Sequence, residues 1–321
     1  RPHAEVMALQ QAGTKAKGAT AYCTLEPCSH FGKTPPCCDA LIKAGISKVV
    51  VATQDPDLRV NGRGIKRLRA AGVGVVENIC KEEALDIMKG FFNVCAFSRP
   101  YVSLKFGMSI DSRVAAVNGE SKWITGGDAR RSAHLLRAKN DAILTGIGTL
   151  LCDDPKLDCR LPGLERHSPS RVLVDSKLRI PIASHFALTA KNHHSYVFTT
   201  EKSDAAKKDI LTDMGVKILQ VPCSVDGHVL MPRCLELMAA EGITTVLVEA
   251  GGYLASSLLK SDLVDKLVIY RAPMIIGGDG IAAWHPLGVE RLNMSKRFAL
   301  QNIERIGSDI KETYTRCMEA L

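Results

Sequence analysis

Short apolar runs alternate with segments of helical periodicity along the first hundred residues. Lys48 to Ala52 is a valine-rich run that predicts a short buried strand, whereas residues 3–12 repeat apolar positions at helical spacing. Strand and helix in alternation indicate an α/β domain with a largely parallel sheet. The same patterns predict further helices at 37–44, 62–71 and 81–90 and further strands at 19–25 and 73–76.

The pattern is interrupted at residues 97–100, where a proline pushes the preceding residue toward extended geometry. We place a domain boundary there, which divides the chain into residues 1–98 and residues 99–321. The second part opens with an alternating strand at 101–106 and then returns to the α/β rhythm. Its predicted helices are 127–138, 203–213, 232–241 and 252–260, and its predicted strands are 141–145, 171–175, 195–199, 216–221, 244–249, 266–271, 297–304 and 309–316.

Composition and charge narrow the class of protein. A chain of 321 residues with 46% hydrophobic and 24% charged residues indicates a globular protein of about two domains, which excludes disorder and coiled coil. No apolar run is long enough to span a membrane and no leader opens the chain, so we expect a cytoplasmic protein without a membrane partner. The net charge of +8 is evenly spread and suits anionic small molecules at least as well as nucleic acid, although a solvated surface accounts for it more simply.

Four residues combine the side chains of a catalytic zinc site. His3, Cys28 and Cys37 supply one imidazole and two thiolates, and the open fourth position can hold water whose pKa falls to about 7. Glu5 can carry the released proton to a leaving amine. The alternatives are a structural zinc, which typically takes four ligands, or no metal. Cys38 adjoins Cys37, and we predict that it packs in the core or beside the site.

Two glycine-rich turns are candidate phosphate sites. Residues 250–252 lie between a predicted strand and a predicted helix, where small residues let a phosphate approach backbone N–H groups. Residues 276–280 form a second turn of this kind. In the absence of a longer glycine motif, a tight connection is the more frequent explanation of such turns.

Several segments resemble one enzyme family over nearly the whole chain. The resemblance is to the RibD-type family of bifunctional riboflavin-biosynthesis deaminase/reductases. It implies an α/β fold in which a cytidine-deaminase-like domain, residues 1–98, precedes a dihydrofolate-reductase-like domain, residues 99–321. The segments that carry it are TLEPCSHFGKTPPC at 24–37, QDP at 54–56, GRG at 62–64, KFGMSID at 105–111, WIT at 123–125 and DDP at 153–155.

The resemblance also implies two reactions on one phosphorylated pyrimidine. The first is zinc-dependent hydrolytic deamination of 2,5-diamino-6-ribosylamino-4(3H)-pyrimidinone 5′-phosphate. The second is NADPH-dependent reduction of the ribosyl group of 5-amino-6-(5-phosphoribosylamino)uracil to ribityl. The deaminase residues that it implies are His3, Cys28 and Cys37 as zinc ligands, Glu5 as the proton relay, and His30 and Lys33 as substrate contacts.

The resemblance implies a longer set of residues for the reductase. Taken singly, these residues suit purely structural roles as well, because arginines are often solvated, a strand lysine often faces water and Trp123 would also suit a core. The implied cofactor contacts are Gly107, Trp123, Thr149, Asp153, Ser176, Gly251, Gly252, Tyr253, Leu254, Ala255, Ser256 and Ser257, and the implied substrate contacts are Lys105, Ser121, Arg137, Leu157, Arg160 and Glu249.

The chain departs from the family pattern in two places. The family's deaminase has a helix and strands ahead of the His-Ala-Glu segment, so we expect an N-terminally incomplete deaminase with an unpaired sheet edge. Where the family has Asp-Gly, this chain has Asp111-Ser112, and we expect a rearranged turn because serine tolerates a positive φ poorly.

Two alternatives to a bifunctional enzyme follow from these observations. One is a reductase that carries a non-functional deaminase remnant. The other is a zinc-stabilised RNA-binding module, which the positive charge and the basic helix at 62–71 suggest. We favour the enzyme, and we expect a homo-oligomer with a small phosphorylated pyrimidine as its partner and no nucleic-acid partner.

Overall fold

The computed structural model describes residues 2–32 and 35–317, and the chain divides into two units, Arg1–Ser98 and Arg99–Leu321. A parallel three-stranded sheet of order β1-β2-β3 organises the first unit. Buried Leu41, Val49 and Leu68 form part of the core that the helices close over this sheet. The elements are α1 (Ala4–Ala12), β1 (Thr20–Leu25), α2 (Cys37–Lys43), β2 (Lys48–Thr53), α3 (Arg63–Ala70), β3 (Gly74–Glu77) and α4 (Lys81–Phe97).

Strand β1 is an edge of this sheet in the described part of the chain, where it pairs with β2. Its side chains alternate between exposed and half-buried, and Tyr22 is 79% exposed. Helix α1 buries none of its residues. The expected unpaired sheet edge is therefore present at β1.

A nine-stranded sheet organises the second unit, in the order β13-β14-β11-β4-β10-β6-β7-β8-β9. The strands from β11 to β9 in this order are parallel, and the hairpin of β13 and β14 adds antiparallel strands beside β11. The elements are β4 (Tyr101–Ser109), β5 (Arg113–Ala115), α5 (Gly127–Ala138), β6 (Ala142–Gly146), α6 (Ile147–Asp153), β7 (Ser170–Val174), α7 (His185–Leu188), β8 (Ser195–Thr199), α8 (Ala205–Asp213), β9 (Val216–Gln220), α9 (Met231–Ala240), β10 (Thr245–Val248), α10 (Gly252–Lys260), β11 (Lys266–Ala272), β12 (Ile281–Ala282), β13 (Phe298–Ile306) and β14 (Asp309–Arg316).

Strand β4 lies near the centre of this sheet, between β10 and β11. Val102, Leu104 and Phe106 face the main core, as the alternating pattern predicts. Ser103 on the other face is also buried, and Lys105 is half-buried. A central strand of a parallel sheet is covered on both faces, so its polar positions line interior sites.

Each predicted helix and strand is present, but some elements lack a sequence signal. Strands β5 and β12 have three and two residues, and the helices α6 and α7 are also short. Helix α4 continues to Phe97 instead of ending near residue 90. In the described residues, no helix has both the length and the apolar character needed to cross a membrane.

The turn at Asp111-Ser112 keeps the geometry that a glycine favours. Ser112 takes a φ of 61°, in the left-handed region. The Asp111 carboxylate accepts the backbone N–H of Gly277 at 2.7 Å and that of Ile276 at 3.2 Å. Asp111 therefore holds the turn in place while Ser112 takes a conformation that strains a side chain, which differs from the expected rearrangement.

Candidate functional site

Three metal-ligating side chains converge in the first unit. His3 immediately precedes α1, Cys28 lies in the loop after β1, and Cys37 is the first residue of α2. Their ligand atoms lie within 4.8 Å of one another. The Nδ1 atom of His3 is 3.6 Å from the Sγ of Cys28 and 3.2 Å from the Sγ of Cys37.

A carboxylate lies beside these three ligands. The Oε2 atom of Glu5 is 3.6 Å from the Sγ of Cys37. Burial raises the pKa of the Cys37 thiol well above its ordinary value, and the negative charge of Glu5 raises it further. Thiolates at this position therefore need a cation, and one imidazole with two thiolates is a donor set that zinc prefers. Three ligands with an adjacent free carboxylate fit a zinc ion that keeps one open position.

Cys38 is not part of this cluster. Its thiol is fully buried and donates to the carbonyl oxygens of Pro27 at 3.2 Å and Gly64 at 3.5 Å. Burial raises its pKa to about 12, so the thiol stays protonated. Cys38 belongs to the core of the first unit, so the prediction that it packs in the core or beside the site is confirmed.

Glu26 supports the cysteine loop, a role that sequence reasoning missed. Its carboxylate is 2% exposed and accepts backbone N–H groups from Gly62 and Gly64, each at 2.8 Å, at the start of α3. It also accepts those of Asp55 and Ile65. A Cβ atom at Gly64 would lie 2.0 Å from the Pro27 carbonyl oxygen, so only glycine allows this close approach. The available signal was a glutamate next to the Pro-Cys pair.

Of the two predicted substrate contacts of the first unit, His30 and Lys33, the structure describes only His30. The Nδ1 atom of His30 is buried and has no hydrogen-bond partner among the described residues, so it can bond a ligand. Burial raises the pKa of the Asp55 carboxyl, and hydrogen bonds from Arg59 lower the pKa of the Asp57 carboxyl to about 2. His30 has a smaller effect on both carboxyls, which indicates that the three side chains lie near one another. Lys33 lies outside the described residues.

A cavity of about 1520 Å³ occupies the second unit. Ala255 and Ser256 are buried and do not line it. The structure brings the other predicted reductase residues to its wall, namely Lys105, Gly107, Ser121, Trp123, Arg137, Thr149, Asp153, Leu157, Arg160, Ser176, Glu249, Gly251, Gly252, Tyr253, Leu254 and Ser257.

An ion cluster lies on one side of this cavity. The Nε and Nη2 atoms of Arg137 donate to the two carboxylate oxygens of Glu249, each at 2.9 Å, and Lys105 lies 3.8 Å from the same carboxylate. Burial alone would raise the pKa of Glu249, but the charges of Lys105 and Arg137 outweigh it and hold that pKa at about 2. Lys105 therefore faces a buried anion, and the alternative of a water-facing lysine is excluded.

The glycine turn at the start of α10 lies at another part of the wall. The Thr149 hydroxyl accepts the backbone N–H of Gly251 at 3.2 Å. A Cβ atom at Gly252 would lie 2.8 Å from the Ala283 carbonyl oxygen, so the backbone here must stay free of side chains. A helix N-terminus that opens into a cavity fits the phosphates of a dinucleotide.

A second, cationic part of the cavity adjoins this turn. The centre of the Tyr253 ring lies 5.2 Å from that of His228, with the two rings tilted at 52°. The residue after His228, Val229, donates its N–H to the Ser176 hydroxyl at 3.0 Å. Lys177 and Arg179 follow Ser176 in the loop after β7, are exposed and line the cavity. Among the described residues, no acidic side chain forms an ion pair with either one.

Trp123 lies at the cavity wall and is 67% exposed, so the alternative of a core tryptophan is excluded. The guanidinium of Arg130 stacks 4.3 Å from the centre of its ring.

Sequence reasoning missed Arg130 and several other polar residues of the wall. The sequence held a weak signal for two of these residues. His134 lies three residues before the predicted contact Arg137 on the same helix, and Lys177 directly follows the predicted contact Ser176. The other missed polar residues are Lys122, Thr125, Arg131, His134, Cys152, Lys156, Asp175, Lys177, Arg179, His228 and His285.

Comparison with known proteins connects both units to one family. A model of the RibD C-terminal domain matches residues 100–311, and a model of the cytidine and deoxycytidylate deaminase zinc-binding region matches residues 1–53. The riboflavin biosynthesis protein RibD of Escherichia coli (strain K12) is 40% identical, over 96% of this chain and 85% of that protein.

Solved structures agree with this relationship. Acinetobacter baumannii RibD superposes with a TM-score of 0.86 at 36% identity, over 99% of this chain and 86% of that one. The diaminohydroxyphosphoribosylaminopyrimidine deaminase/5-amino-6-(5-phosphoribosylamino)uracil reductase of Thermotoga maritima gives 0.81 at 30% identity, with coverages of 99% and 86%. The predicted α/β class, with cytidine-deaminase-like and dihydrofolate-reductase-like parts, is confirmed. The chain belongs to the RibD family of bifunctional riboflavin-biosynthesis deaminase/reductases.

Proposed function

We propose that residues 1–98 deaminate 2,5-diamino-6-ribosylamino-4(3H)-pyrimidinone 5′-phosphate and that residues 99–321 reduce the product's ribosyl group to ribityl. The observation that carries the proposal is the convergence of His3, Cys28 and Cys37 within 4.8 Å, with Glu5 beside them. The large cavity of the second unit supports the reductase assignment.

In the deaminase, His3, Cys28 and Cys37 would hold zinc, which would supply a water polarised enough to lose a proton near neutral pH. Glu5 accepts that proton and passes it to the ring amine as the C–N bond breaks. Water and the amine thereby become a ring carbonyl and ammonia. His30, with its buried unpartnered Nδ1, binds the substrate beside this centre.

In the reductase, the cavity would hold NADPH and the ribosyl phosphate, and NADPH would supply the hydride that reduces the sugar carbon, with a proton from solvent completing the reduction. The first turn of α10, which begins at Gly252, holds the cofactor's diphosphate through its backbone N–H groups, while the N–H of Gly251 donates to Thr149. Lys105 orients the sugar oxygens while Glu249 fixes its position. Arg137 donates to both carboxylate oxygens of Glu249 and is largely buried, whereas Arg160 pairs with Asp158 through one nitrogen and its side chain is 50% exposed. Arg160 is therefore the cation that we assign to the substrate phosphate.

Lys177 and Arg179 select the phosphorylated cofactor. Both are cations without an ion-pair partner in the described residues, and they adjoin the turn that holds the diphosphate. They are therefore placed to bind the 2′-phosphate that distinguishes NADPH from NADH.

The double variant K177A/R179A is expected to raise the KM for NADPH about tenfold or more while the KM for NADH stays unchanged, because only NADPH carries the extra phosphate. Steady-state kinetics with both cofactors measures this difference. Lys202→Ala, an exposed lysine outside the cavity, is the matched control. An equal change for both cofactors would contradict the assignment.

Three measurements on the whole chain test the proposed function. We expect about one zinc per chain by elemental analysis, ammonia release from the diaminopyrimidinone, and NADPH oxidation with its deaminated product. Reduction without ammonia release would favour the reductase with a non-functional deaminase remnant. If both activities were missing and RNA bound at low salt, the RNA-binding module would replace the enzyme. The homo-oligomeric state and the cytoplasmic location stay predictions.

A further inference from the structure

His134 links helix α5 to the segment that carries Arg160. Its ring Nδ1 accepts the backbone N–H of Arg160 at 3.2 Å, and its carbonyl oxygen accepts the Cys159 thiol at 3.4 Å. One helical turn later, the Nη1 atom of Arg137 donates to the Asp158 carbonyl oxygen at 3.0 Å. Residues 158–160 form no helix or strand of their own, so these bonds to α5 hold the segment at the cavity wall.

The bond at Nδ1 restricts the protonation state of the ring. An imidazole nitrogen accepts a hydrogen bond only when it carries no proton, so the neutral ring must place its proton on Nε2. Protonation at Nδ1 would turn the acceptor into a donor that faces another donor. The position of Arg160 is therefore coupled to the charge of His134.

We propose that His134 is a positioning residue of the reductase, whose Nδ1 fixes the backbone of Arg160 so that the guanidinium meets the substrate phosphate. The proposal rests on the proposed function, in which Arg160 binds that phosphate. His134 itself acts through Arg160, and no contact with the reacting atoms is required.

The charges around His134 favour the neutral ring. Burial lowers its pKa below the ordinary 6.5, and the cations Arg137 and Arg160 lower it further, whereas Glu249 and Asp158 oppose them. Further elements in contact with α5 are the turn Glu165–His167, β13 and β11, and their titratable residues are Glu165, Arg166, His167, Glu304, Arg305, Lys266, Tyr270 and Arg271. The ring thus stays neutral at neutral pH, and the bond to Arg160 is lost as the pH falls below 6.5 through the lowered pKa.

Two amide variants of His134 distinguish the role of Nδ1 from that of Nε2. An asparagine oxygen can replace Nδ1, whereas a glutamine amide reaches the place of Nε2, so only His134→Asn preserves the acceptor for Arg160. We expect His134→Ala and His134→Gln to raise the KM for the deaminated substrate about tenfold, as expected for one lost positioning hydrogen bond, with kcat changed less. We expect His134→Asn to recover most of that loss.

The pH profile supplies a readout that a purely structural role would not change. The wild-type kcat/KM for reduction should fall on the acid side, partly because the substrate phosphate itself ionises near pH 6. His134→Asn lacks the titrating ring, so its acid limb should retain only the part due to the substrate. Identical acid limbs in the wild type and His134→Asn would overturn the proposal.

Binding controls separate failure of this proposal from failure of the proposed function. Calorimetric titration with ribose 5-phosphate measures phosphate binding without turnover, and NADPH titration checks that each variant is folded. Arg160→Ala should weaken ribose 5-phosphate binding. In the double variant, His134→Ala should cause little further loss of affinity, because both changes act on the same contact. If Arg160→Ala leaves this binding unchanged, the phosphate assignment fails. If it weakens binding but His134→Asn and His134→Gln behave alike, the inference about His134 fails.

Discussion

Replacing Glu5 with glutamine is expected to reduce ammonia release by about 10²–10⁴-fold while the zinc content stays near one per chain. Glu5 adjoins Cys37 but is not one of the three converging ligands, so the amide removes the proton carrier and leaves the donor set intact. Elemental analysis and an ammonia assay on the same preparation measure both quantities. Loss of zinc in Glu5→Gln would make Glu5 a ligand and contradict the assignment.

Matched variants make this result specific. Glu82→Gln, an exposed carboxylate in the first turn of α4, should change neither zinc nor ammonia release. Cys37→Ser should lose zinc, because a serine hydroxyl is a poor zinc ligand. Its neighbour Cys38 donates to two carbonyl oxygens, a role that a serine hydroxyl can fill, so Cys38→Ser should retain zinc. A zinc content near one per chain in Cys37→Ser would exclude Cys37 as a ligand.

Replacing Glu249 with glutamine is expected to lower the free energy of unfolding of the second unit by about 3–5 kcal/mol and to abolish reduction. The carboxylate lies between Arg137 at 2.9 Å and Lys105 at 3.8 Å, and its side chain is 14% exposed. Without its charge, two partly buried cations face each other without an anion. Both tryptophans, Trp123 and Trp284, belong to this unit, so tryptophan fluorescence during denaturant titration reports on it selectively.

The pH dependence of this loss follows from the pKa of Glu249. The folded protein lowers that pKa from 4.5 to about 2, so the carboxylate contributes its full stability above pH 4.5 and loses it as the pH falls through 2. The difference in the free energy of unfolding between the wild type and Glu249→Gln should therefore become smaller as the pH falls from 4.5 to about 2. Glu290→Gln, an exposed control, should follow the wild type at every pH. A difference that stays constant down to pH 2 would contradict the ion cluster.

The order of helices and strands could be predicted because each depends on neighbouring residues. The valines of β2 and the alternation in β4 indicate strands, and the apolar spacing in α3 indicates a helix. The short strands β5 and β12 have no such signal, because two or three residues form a strand only when a partner from elsewhere in the chain pairs with them. The left-handed Ser112 was missed for a similar reason, since Asp111 holds that turn through the backbone of Ile276 and Gly277.

The metal cluster could be proposed from sequence because zinc chemistry demands particular residue types, and His3, Cys28 and Cys37 supply them in one short stretch. The ion cluster, the anchoring of Arg160 by His134 and the cationic pair Lys177 and Arg179 depend instead on folding. The partners Arg137 and Glu249 are 112 residues apart, and His134 and Arg160 are 26 apart. Local residue patterns specify secondary structure and ligand types, whereas pairings between distant segments arise only when the parallel sheet places the ends of its strands around one cavity.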